Sequence, residues 1–318
     1  MGVTTSSSAR SPLVKTLSGP VRGRQYTLSD GSSVDMYMGI PYAEPPIGKL
    51  RFKKPQPIKS WTEELDCVEF GPRCPQRDEY FAQVTEFSNG YVKEDNCLTL
   101  NIFTPRWRYD TEKKFPVMVW IHGGGFSIHS SSNYGDSTIL FMNLCVKDVV
   151  VVSINYRLGP FGFFTTGDDA CLEGCYLGNM GLWDQTLALH WIHDNIALFG
   201  GDPENVTVFG QSAGGASADL LSISPHSRDL FHRLIPMAGS GECEFAMRTN
   251  ESQAKLCREF ARFIGWTGNG KKDFLTGKHK SFASSISDVG RKKEKGNIFI
   301  SGNNKKRRQV LSARIVEN

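Results

Sequence analysis

Ser212 stands in the pentapeptide Gly210-Gln211-Ser212-Ala213-Gly214, a G-x-S-x-G pattern. The apolar run Val206-Thr207-Val208-Phe209 precedes it, and a stretch of small residues from Ala213 to Leu221 follows. A strand, a sharp turn and a helix in that order push the serine Oγ out at the end of a sheet. Glycines on both sides allow the strained backbone and its close approach to the helix. The N–H of Ala213 then points from a helix N-terminus toward a developing oxyanion. This is the equipment of acyl transfer through serine. A second glycine cluster, His122-Gly123-Gly124-Gly125-Phe126, directly follows the apolar run Val117–Ile121. Its N–H groups are unshielded by side chains and free to aim at one point, as a source of the remaining oxyanion donors. His122 reads as structural, because such a loop works through its neighbours' backbone.

The surrounding elements must hold these two clusters together. Val117–Ile121 and Val149–Ile154 are short apolar runs that predict strands buried on both faces of a mostly parallel sheet. Trp183, Leu187 and Trp191, at spacing four, predict a helix that Gly200-Gly201 and Pro203 end. Asp184 falls in its expected first turn, where the helix dipole favours an anion. Leu234–Met237 predicts a further strand, and about Glu251–Phe263 a further helix. The alternation of strand and helix predicts a doubly wound α/β sheet. Residues 1–12 read as an unstructured start and 13–265 as the folded domain. From 266 to 318 serine, lysine, glycine and asparagine dominate, which predicts a disordered basic tail.

Composition narrows the function classes. With 39% hydrophobic and 22% charged residues the chain is globular rather than fibrous. No apolar run is long enough to span a membrane. Lys271–Asn318 holds 13 Lys and Arg against 4 acids, so the net charge of +4 hides a mildly acidic body. Lys305-Lys306-Arg307-Arg308 could suit nucleic acid, but no aromatic interleaving or nucleic-acid module accompanies it, and none is expected as a partner. Cys171 and Cys175 lack a second pair at zinc spacing, so no metal is expected. The start, Met1-Gly2-Val3-Thr4-Thr5-Ser6, fits the pattern for N-myristoylation of Gly2, and no apolar signal segment is visible.

Longer stretches carry a resemblance. Phe199-Gly200-Gly201-Asp202-Pro203-Glu204-Asn205 leading into Val206–Gly214 resembles the serine signature of the type-B carboxylesterase/cholinesterase family along its length. Glu94-Asp95-Asn96-Cys97-Leu98-Thr99-Leu100-Asn101-Ile102-Phe103-Thr104-Pro105 resembles its second signature, with Asn96 where an acid is usual. Gly39–Pro46, Leu50–Phe52 and Gly178–Gln185 also fit. The resemblance covers roughly residues 15–265 and implies an α/β-hydrolase fold without the C-terminal half. It implies Ser212 as nucleophile, Gly124, Gly125 and Ala213 as the oxyanion hole, and a disulfide between Cys74 and Cys97. Family members often carry Glu at position 211, where this chain has Gln. Between those cysteines stand Tyr80, Phe81, Phe87 and Tyr91 but no tryptophan, which argues against a choline ester.

The implied activity is hydrolysis of a small-molecule carboxylic ester, with no cofactor. The resemblance implies that the triad acid and histidine lie well downstream of the serine, beyond residue 318. His226, His232 and His279 are poor candidates for the base. A serine without its base is a weak nucleophile, so the 318-residue form is expected to be nearly inactive alone. The alternative is a non-catalytic binding or adhesion protein, or a truncated pseudoenzyme, of the same fold. The intact Ser212 and glycine clusters favour enzyme ancestry. The expected location is the cytoplasm, with membrane association through Gly2. The implied disulfide speaks instead for secretion, should a signal segment precede this sequence.

Overall fold

A computed structural model describes residues 9–28, 31–77, 91–92, 96–106, 114–132, 137–165, 178–263 and 315–316. The chain enters through three antiparallel strands, β1 (Arg10–Lys15), β2 (Pro20–Thr27) and β3 (Ser33–Pro41). The short β4 (Leu65–Asp66) lies parallel to β2, and β5 (Gln76–Arg77) pairs with β6 (Tyr91–Val92) in a separate ribbon. The main sheet continues with β7 (Thr99–Pro105), β8 (Phe115–Ile121) and β9 (Val150–Ile154), with α1 (Ser137–Cys145) between the last two. Then follow α2 (Gly159–Phe163), α3 (Met180–Asn195), β10 (Gly201–Gln211), α4 (Ala213–Ile223) and β11 (Arg233–Met237). Last come β12 (Met247–Arg248) and α5 (Asn250–Phe263).

The strand order is β1-β2-β3-β7-β9-β8-β10-β11. From β9 to β11 the neighbours run parallel, and from β1 to β9 they run antiparallel. Successive side chains on a strand face opposite ways, so β9, whose five residues are all buried, needs cover on both faces. Val150, Val152 and Ile154 enter one core with Val117, Val119 and Ile121. Val151 enters the other with Phe103, Phe141 and Cys145. Because β8 and β10 are parallel neighbours with Ile121 opposite Gly210, the residues that follow them leave the sheet at the same C-terminal edge.

Two described strands fall where no structure is expected, and one expectation needs correction. Among the described residues, β1 starts at Arg10, inside the segment expected to be unstructured. Within the basic stretch expected to be disordered, β13 (Ile315–Val316) pairs with β12. Asp184 is not a first-turn anion: α3 starts at Met180, and the Asp184 carboxylate is fully buried. It accepts from Arg157 through Nε at 2.8 Å, Nη2 at 2.7 Å and the backbone N–H at 2.9 Å. A buried charge needs a partner far more than a helix dipole can supply. Among the described residues no helix is long and apolar enough to cross a membrane.

Candidate active site

The turn between β10 and α4 is under backbone strain at its centre. Ser212 has φ 57° and ψ −121°, a conformation that L-residues rarely adopt and that costs about 1–3 kcal/mol. Its neighbours show why glycine flanks it. A Cβ on Gly214 would strike the Ile121 carbonyl, and one on Gly210 would come within 2.5 Å of the Gly214 carbonyl. The Ser212 N–H donates to Met237 O at 2.8 Å, and its carbonyl accepts from Ala216 N at 3.0 Å. Ala238, next along from β11, is itself at φ 50°. Ser212 is half-buried, and among the described residues its hydroxyl has no hydrogen-bond partner.

The glycine cluster after β8 lies against this turn. A Cβ on Gly123 would strike Gln211 O and come 3.3 Å from the Ser212 Cβ. Gly124 and Gly125 have φ 105° and 59°. The Gly124 carbonyl accepts from Ser127 N at 3.0 Å and Ile128 N at 3.1 Å, closing a tight turn. Phe126, also at positive φ, buries its ring edge-on against Phe163 with centroids 5.2 Å apart. The N–H groups of Gly124, Gly125 and Ala213 meet no acceptor among the described residues. Ala213 directly follows the half-buried serine and Gly123 packs against it, so the two glycine-bearing turns meet at Ser212.

His122 is fully buried and stacked on Tyr156 with centroids 4.4 Å apart. Its Nδ1 lies 2.8 Å from Gly123 O, and the Tyr156 hydroxyl donates to His122 O at 2.8 Å. Burial pushes its pKa down to about 3, so the ring is neutral. Two of the histidines considered as bases have partners of their own. His226 packs on Trp183. His232 Nδ1 accepts from Val206 N at 3.3 Å. Val206 is six residues up the strand from Ser212, about 20 Å away by strand rise.

Cys74 and Cys97 form a disulfide with Cα atoms 4.9 Å apart. Gln76, two residues beyond Cys74, binds both backbone groups of His129. Asn155 Oδ1 accepts from Ser131 N at 2.8 Å, and its Nδ2 donates to Pro72 O at 3.1 Å. Gln76, Arg157 and Asn155 carried no sequence signal, because each works through a partner far along the chain. Gly2, Tyr80, Phe81, Phe87, Cys171, Cys175, His279 and the Lys305–Arg308 cluster lie outside the described residues.

A model of the carboxylesterase family matches residues 10–312, a span that passes residue 265, where the sequence alone ended the domain. The chain is 52% identical to the esterase cest-33 of Caenorhabditis elegans over 277 residues, 87% of this chain and 49% of that protein. It is 41% identical to venom carboxylesterase-6 of Apis mellifera, over 80% of this chain and 42% of that one. The figures for the liver carboxylesterase of Sus scrofa are 43%, 73% and 40%. The chain therefore spans about half the length, or less, of these curated relatives. A crystal structure of juvenile hormone esterase from Manduca sexta, with OTFP covalently attached, aligns at TM-score 0.76 and 32% identity. The match covers 88% of this chain and 50% of that one. The fold is that of an α/β-hydrolase.

Proposed function

The chain belongs to the carboxylesterase family, and on that premise we propose that it hydrolyses small-molecule carboxylic esters with Ser212 as nucleophile. The observation that carries the proposal is Ser212 itself, held at φ 57° in the turn between β10 and α4 with Gly123 against it. The Ser212 Oγ attacks the ester carbonyl carbon and its proton passes to a base outside the described residues. The carbonyl oxygen takes up negative charge against the N–H groups of Gly124, Gly125 and Ala213. The alcohol leaves with a proton, and water then hydrolyses the acyl-serine. Each lost oxyanion donor costs about 10²–10³ in rate. Without the base a serine hydroxyl is a poor nucleophile, so full turnover depends on that further group.

The Cys74–Cys97 pairing supports an oxidising compartment, hence secretion, over the cytoplasm or attachment through Gly2. The function is tested by labelling with a fluorophosphonate probe, mapped by peptide mass spectrometry, alongside hydrolysis of p-nitrophenyl butyrate. Labelling at Ser212, with both signals lost in Ser212→Ala, is expected. Hydrolysis that survives Ser212→Ala would overturn the assignment.

A further inference from the structure

We propose that Gln76 is a positioning residue for the oxyanion-binding loop. The inference rests on reading Ser212 as the nucleophile of an ester hydrolase. Gln76 is 8% exposed. Its Oε1 accepts from the His129 N–H at 2.6 Å, and its Nε2 donates to the His129 carbonyl at 2.7 Å. One side-chain amide thus takes both backbone groups of one residue, as a neighbouring strand would. The same Nε2 donates to Cys74 O at 3.0 Å, and Arg73 Nη2 donates to Gln76 Oε1 at 3.0 Å. Through Gln76, the segment closed by the disulfide grips a residue 53 positions away.

His129 is a residue that must be held. It is not glycine, yet its φ is 83°, a conformation maintained only when the surroundings over-determine it. It also backs the loop directly. A Cβ on Gly124 would come 3.0 Å from His129 Cγ and would strike Ile128 O. Gly124 to His129 is therefore one packed turn, tied at its near end by the Gly124 carbonyl and at its far end by Gln76. Oxyanion donors act through placement, and an error of about 1 Å costs on the order of 10²-fold in rate. Removing the Gln76 amide would leave the buried N–H and C=O of His129 without these partners and free the turn to shift. The loss should fall on the transition state, where the donors are used, rather than on substrate binding.

The test compares Gln76→Met, which keeps volume but neither hydrogen bond to His129, with Gln76→Glu, which keeps only the acceptor. Active sites are first titrated with the fluorophosphonate, so that misfolded protein does not count. Per titrated site, kcat on p-nitrophenyl butyrate is expected to fall about 10- to 100-fold in Gln76→Met and less in Gln76→Glu, with KM within about threefold of the parent. Hydrogen exchange should quicken in peptides covering 123–131 and stay unchanged in β9. An unchanged kcat per site, a loss carried wholly by KM, or unchanged exchange at 123–131 would overturn the inference. A parent protein that neither labels at Ser212 nor turns over ester overturns the functional reading instead. The exchange pattern then decides by itself whether Gln76 holds the loop.

Discussion

The Ser212 N–H donates to the Met237 carbonyl at 2.8 Å, which ties the strained turn at the end of β10 to the last residue of β11. The next turn presses from the same side, since a Cβ on Gly239 would strike the Ser212 carbonyl. The strain at Ser212 is held by two strands and the segment beyond them. Gly239 does not have positive φ, so an alanine there meets the contact and not a forbidden backbone. Gly239→Ala is expected to slow fluorophosphonate labelling of Ser212 by at least about tenfold, because a displaced turn misaligns the hydroxyl. Labelling at the parent rate would mean the contact relaxes harmlessly.

His122 predicts a pH dependence of stability. Its folded pKa is pushed down to about 3 by burial, against about 6.5 in an unfolded chain. Between those values the unfolded state binds a proton that the folded state refuses. Stability is therefore fully present above about pH 6.5 and declines as pH falls toward about 3, by up to about 1.4 kcal/mol per unit. Urea midpoints at several pH values should decline more steeply in the parent than in His122→Asn. Parallel profiles would show that His122 takes no part.

The Arg157–Asp184 pair predicts a large asymmetric loss. Its side chains are 3% and 0% exposed. Asp184→Asn leaves the buried guanidinium without its countercharge, and a loss of about 3–5 kcal/mol in urea unfolding is expected. Replacing both residues by leucine should cost less than either single change, because no uncompensated charge remains. A double variant as unstable as the single one would contradict this account.

The disulfide predicts a stability change that does not need the active site. Cys74 and Cys97 are 23 residues apart, and closing a loop of that length restricts the unfolded chain by about 3 kcal/mol. Replacing both cysteines with serine should lower the unfolding free energy by about that amount. Gln76 sits beside Cys74, so hydrogen exchange at 123–131 should also rise. A variant with parent stability in non-reducing urea would exclude the linkage as a stabilising element.

The serine turn, the glycine loop and the two-faced strand β9 were legible in the sequence because each is a local demand. A glycine flanks Ser212 where a Cβ would strike Ile121 O, and an apolar run such as Val150–Ile154 must be covered on both faces wherever it lies. Partners across the fold were not legible in that way. Spacing alone points to Asp184 as a dipole-favoured anion, whereas its helix begins at Met180 and its countercharge, Arg157, comes from 27 residues earlier. Gln76 and His129 meet across 53 residues, and nothing in either neighbourhood names the other. Sequence by itself determined which backbone conformations and which apolar faces this protein needs, since those follow from residue type and spacing. Only the tertiary structure decided which buried polar groups satisfy one another, because that depends on how the sheet order brings distant segments side by side.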